Sequence, residues 1–178
     1  MGLPPAPVPN PLIYWNPSYE LLSKVLIQEL ASEALTARWE KLDLVASFLV
    51  AATATGSAVA GWALWSTDGG KIVWGLIAGV ASVASIVHGI LKVPGRIKDQ
   101  EELHRLFQQE RLAINKFRSD LEIGLISMHD TTAEYERLQK EYQEIMGKTK
   151  TEIAYTTGLR KEVTARRDAM LKKEGIAS

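Results

Sequence analysis

Cysteine is absent from the 178-residue chain, which removes disulfides, thiolate nucleophiles and thiolate metal ligands at once. Histidine is scarce: His88, His104 and His129 stand too far apart to gather a ligand. No Walker loop, GxGxxG, HExxH or GxSxG occurs, so the sequence predicts no catalytic residue, no metal and no cofactor. Net charge is lacking too, since 21 Lys and Arg balance 21 Asp and Glu, and nucleic acid finds no overall field to draw it. A basic stretch followed by an apolar core is missing from the start, MGLPPAPVPNP. No cleavable signal peptide is expected there.

What the chain does have is an uneven distribution of charge. Between Leu44 and Trp65 there is no charged residue in 22 positions, and between Ile72 and Leu91 none in 20. A hydrocarbon core of ~30 Å needs ~20 helical residues at ~1.5 Å each, and both runs reach that length. Both are apolar or small on all sides, whereas a soluble surface helix keeps a polar stripe. The expected fold class is therefore all-α, a membrane protein with a two-helix transmembrane hairpin over 44–91 (spans 44–65 and 72–91). The competing reading is a helical hairpin buried in a soluble bundle, for which the rest of the chain has too few apolar faces.

The connector STDGGK, Ser66 to Lys71, is short enough to make the spans antiparallel neighbours. Trp62, Trp65 and Trp74 flank it, where indole rings favour the headgroup region. Arg38 and Lys41 precede the first span and Lys92, Arg96 and Lys98 follow the second, against Lys71 alone in the loop. The positive-inside rule then puts both termini in the cytoplasm.

Helices in lipid associate through close packing of small residues. The first span offers Ala52, Gly56 and Ala60, and the second offers Gly75, Gly79, Ala81, Ser85 and Gly89. This is more small surface than one intramolecular contact needs, so a homo-oligomer packed through the spans is expected. His88 is the one ionisable side chain within either run. With Ser82 and Ser85 nearby it has two readings, a structural hydrogen bond near the helix end or a pore or gate position.

Outside the spans, residues 1–17 form a Pro-rich arm, and 18–43 an amphipathic helix with Ser18 as N-cap and Leu22, Leu26, Leu30 and Ala34 spaced by four. A long coiled-coil-like helix is expected over 92–147, after a break at Pro94 and Gly95. Its apolar stripe runs through Leu103, Phe107, Ile114, Phe117, Leu121, Leu125, Met128, Tyr135, Leu138, Tyr142 and Ile145, with Glu110 as an interruption and Gly124 and HDTT as bends. A basic helix over 148–178, with Leu159, Val163 and Met170 on one side, follows. Residues 99–147 carry net charge −5 and 148–178 carry +4, which suggests that the last helix folds against the acidic one. Arg160, Arg166 and Arg167 are candidate contacts for a regulatory protein or a nucleotide signal.

An N-terminal helix, two small-residue-rich spans with a tight hairpin and the juxtamembrane segment HRLFQQERLAINKFRSDLEIGLI together resemble the SLATT domains. These are two-span effector modules of bacterial conflict systems. The resemblance covers roughly residues 18–146 and implies an inner-membrane antiviral effector that oligomerises and permeabilises the membrane when triggered. Two other classes remain beside it: a non-conducting membrane-anchored scaffold for a cytoplasmic partner, and a holin-like lysis protein. The long helical region outside the spans weighs against the last.

Overall fold

The structure is a computed structural model, and it describes residues 11–64, 68–149 and 156–173. A 3-10 turn at Pro11–Tyr14 leads into helices α1 (Trp15–Leu64), α2 (Asp68–Leu91), α3 (Val93–Glu122), α4 (Met128–Lys148) and α5 (Thr157–Lys173). No strand occurs among the described residues, and the chain is all-α. It divides into two compact units, Met1–Ala34 with Glu101–Ser178, and Leu35–Gln100.

The expected N-terminal helix and first span form one unbroken helix, α1. It starts three residues before the expected cap: Ser18 lies inside the first turns, and its hydroxyl donates to the Trp15 carbonyl at 2.8 Å. Pro17 is tolerated there because the first amide groups of a helix have no intrahelical acceptor to lose.

In the first unit, α1 buries Leu21, Leu22, Val25, Leu26 and Leu30. The buried face of α3 runs Leu103, Phe107, Glu110, Ile114, Phe117 and Leu121, alternating steps of four and three as in a coiled-coil seam. Helix α4 adds Leu138 and Ile145, and α5 adds Leu159, Val163 and Leu171. Met170, expected on that last face, is only half-buried. Ring contacts join α3 to α4, with Phe107 to Tyr142 at 6.5 Å and Phe117 to Tyr135 at 6.2 Å. Such pairs add about 0.5–1.5 kcal/mol beyond the area they bury.

The expected long helix over 92–147 is two helices. Gly124, at φ +68°, ends α3 in a Schellman turn: its N–H donates to the Leu121 carbonyl, and the Leu125 N–H reaches back to Asp120 at 3.0 Å. This left-handed position suits glycine, which has no Cβ to clash. Ser127 then caps α4, accepting from the Asp130 N–H. Leu125, expected in the apolar stripe, falls in this turn and is exposed.

In the second unit, α2 begins at Asp68, inside the stretch read as connector, and the Lys71 ammonium meets the Asp68 carboxylate at 2.9 Å. The break after α2 comes at Lys92 rather than at Pro94 and Gly95. Lys92 adopts φ +49°, and the Arg96 guanidinium donates to the Leu91 carbonyl at 3.0 Å. Pro94 then occupies the first turn of α3, where its missing N–H costs nothing. A left-handed lysine is strained relative to glycine. Lys92→Gly is expected to stabilise the chain by roughly 0.5–1 kcal/mol, read as a small rise in melting temperature; a fall would mean that the lysine side chain outweighs its backbone strain.

Among the described residues no helix is long and apolar enough to cross a membrane. The side chains of residues 52–64, 84, 87 and 88 lie outside that set.

Candidate functional site

Two features stand out, one in each unit. In the second unit many large apolar side chains are exposed. Leu44, Val45 and Phe48 of α1 are exposed, as are Ile72, Val73, Leu76, Val80, Val83, Ile86 and Ile90 of α2. Phe48 is 71% exposed. Single exposed apolar residues are ordinary, but a contiguous surface of them marks contact with a membrane or another protein.

The expected packing residues divide. Ala81 is buried at 5% exposure, so it packs within the chain. Gly75, Gly79, Ser85 and Gly89 are exposed. A methyl group built on Gly75, Gly79 or Gly89 would meet no described atom within 4 Å. By helical periodicity Gly75, Ala78, Ser82, Ser85 and Gly89 share one side of α2, while Ile72, Leu76, Val80, Val83 and Ile90 share the other. The Ser82 hydroxyl is turned back on its own helix, donating to the Ala78 carbonyl at 2.8 Å. Ala52, Gly56, Ala60 and His88 lie outside the residues whose side chains are described. At the foot of this unit Trp39 is buried with the Arg96 guanidinium 5.3 Å from its ring centroid, a cation–π contact.

The candidate arginines of α5 are not gathered into a phosphate site. Arg166 meets Glu33 of α1 at 3.0 Å, and Arg167 turns to its neighbour Asp168. Arg160 is exposed. Among the described residues, one acidic partner of the basic helix is thus a glutamate of α1.

In the first unit two carboxylates occupy core positions. Glu29 of α1 accepts from Arg111 Nε at 2.7 Å, and its backbone carbonyl lies 3.2 Å from His104 Nδ1, a contact that needs the proton on that nitrogen. This pair is nearly enclosed, and removing one member of such a pair leaves a charge without compensation.

Glu110 of α3 is 4% exposed and takes a seam position between Phe107 and Ile114. Its Oε1 is buried without a hydrogen-bond partner. Helix α4 brings Glu141 against it, and Arg137 bonds both Glu134 and Glu141. Burial first, and then the neighbouring Glu141 charge, push the Glu110 carboxyl up to about 7, with Arg137 opposing. The Glu134 carboxyl, bonded by Arg137, is held below its usual range. Glu110 lines a cavity of about 370 Å³ between α3 and α4.

Sequence reasoning treated Glu110 as a flaw in the stripe. The signal was its spacing: three after Phe107 and four before Ile114, it stands where the seam puts a core residue. Comparison with protein-family models, with curated proteins and with solved structures gives no match for this chain.

Proposed function

We propose that this chain is a two-span, homo-oligomeric effector of the bacterial inner membrane, with both termini cytoplasmic, that permeabilises the bilayer when triggered. The observation that carries the reading is α2. It has no charged side chain from Ile72 to Leu91, and its large apolar side chains face outward. In water such a surface costs about 25 cal/mol for each Å² left uncovered, and lipid removes that cost. No described atom lies within 4 Å of a methyl group built on Gly75, Gly79 or Gly89, and small residues of this kind let helices approach closely in lipid, which supports assembly of copies. The resemblance to the SLATT domains adds the effector role.

The test is dye release from liposomes by the purified full chain, with and without candidate nucleotides. Triggered release that scales steeply with protein concentration is expected. Tight liposome binding with no release under any trigger would replace the effector by the membrane-anchored scaffold.

A further inference from the structure

The foot of the second unit holds charge that its own fold does not use. The contact between Trp39 and Arg96 puts this part of α1 at the level of the junction between α2 and α3. Arg38 and Lys41 of α1, with Lys92, Arg96 and Lys98 around the junction, therefore form one belt of five cations, against the three carboxylates of Glu40, Asp43 and Asp99. The belt adjoins the exposed apolar side chains, because in this unit they begin at Leu42 on α1 and end at Ile90 on α2. At the other end of α2, Lys71 is matched by Asp68 at 2.9 Å. Excess positive charge thus stands at one end of the apolar stretch only.

Lys92 is the sharper observation. Its backbone is left-handed, φ +49°, a conformation that glycine adopts without strain and lysine does not. Its side chain is exposed, and among the described residues it joins no ion pair. The neighbouring Arg96 is held inside the fold, its Nε donating to the Leu91 carbonyl and its guanidinium lying over Trp39. Strain kept at a residue whose ammonium bonds nothing in its own chain points to a partner outside it.

The position gives that partner its chemistry. A lysine at the rim of an apolar stretch lays its stem on hydrocarbon and lifts its ammonium to the polar edge. The acceptors at that edge of a bilayer are phosphates. In a zwitterionic headgroup a choline cation opposes the ammonium, and in an anionic headgroup nothing does.

We propose that this belt binds anionic phospholipid headgroups, with the Lys92 ammonium on a headgroup phosphate and Lys41 and Lys98 adding attraction at the same level. The inference rests on the membrane reading and adds a lipid class to it. Each lysine beside an anionic surface strengthens binding about fivefold, and salt screens the attraction.

The experiment is flotation of the purified full chain, diluted from detergent, with vesicles of phosphatidylcholine alone and of phosphatidylcholine with phosphatidylglycerol. The parent should favour the anionic vesicles at least about tenfold at low salt, and the preference should shrink at ~0.5 M salt. Lys92→Gly and Lys92→Gln should each lose about fivefold on the anionic vesicles and nothing on the zwitterionic ones, while Lys92→Arg keeps the preference. The glycine variant should do so while melting no lower than the parent, which separates a lost lipid contact from a lost fold. Equal partition of the parent into both vesicle types, or full preference in Lys92→Gly and Lys92→Gln, would overturn the proposal and leave the membrane reading standing. Absence of flotation with either composition would overturn both.

Discussion

Raising the pH from about 5 to about 8 should weaken the folded state, by up to about 3 kcal/mol, with Glu110 as the source. The folded-state carboxyl titrates near 7, against an ordinary value of 4.5. Between these values the folded chain holds a proton that the unfolded chain has released. Stability contributed by the protonated form is therefore complete below about 4.5, falls as pH rises, and is lost above about 7. Glu134 works in the opposite sense: its depressed carboxyl contributes stability above the ordinary value and loses it only in more acidic solution. The two effects occupy different pH windows.

Urea unfolding of the full chain at half-unit intervals of pH measures this slope. Glu110→Gln should flatten it, because an amide keeps the shape and cannot ionise. The variant should match the parent near pH 5 and exceed it near pH 8. Parallel curves for parent and variant would show that Glu110 reaches water in the folded state and titrates like an ordinary carboxyl.

Much of the first unit was legible in the sequence, since apolar residues at steps of three and four can be buried together only on a helix. Leu103, Phe107, Ile114, Phe117 and Leu121 were read as one stripe and form one buried face. Two helix starts were misplaced for a shared reason. Pro17 and Pro94 were treated as lying outside their helices, yet each sits in a first turn, where a proline has no hydrogen bond to break. The actual punctuation was subtler, a left-handed Lys92 that no sequence rule singles out, whereas Gly124 carried a visible mark.

The polar core was legible in position and not in consequence. Glu29 and Glu110 both stand on apolar faces, four after Val25 and three after Phe107. The sequence does not say that one meets an arginine and the other does not. That difference depends on which residues α3 and α4 bring alongside: Arg111 reaches Glu29, while Arg137 is drawn away by Glu134. A long-range partner is set by packing between helices, which single-chain periodicity does not encode.

On the membrane reading proposed above, Val80→Arg should displace the chain from liposomes, with a drop of about a hundredfold in the partition constant read by flotation. The position lies near the middle of the charge-free stretch of α2, and Val80 is 56% exposed. A guanidinium at the centre of a spanning helix costs about 2.5–3.5 kcal/mol on insertion scales, and that range converts to the hundredfold change. In water the same substitution on an exposed side chain is nearly neutral, so helicity in detergent should be retained. The matched control is Leu112→Arg in the first unit, at an equally exposed leucine, 57%, on a helix rich in charge. Flotation of that variant should equal the parent. If Val80→Arg and Leu112→Arg float alike, the outward apolar side chains of α2 are not in lipid, and the surface belongs to contact with another protein.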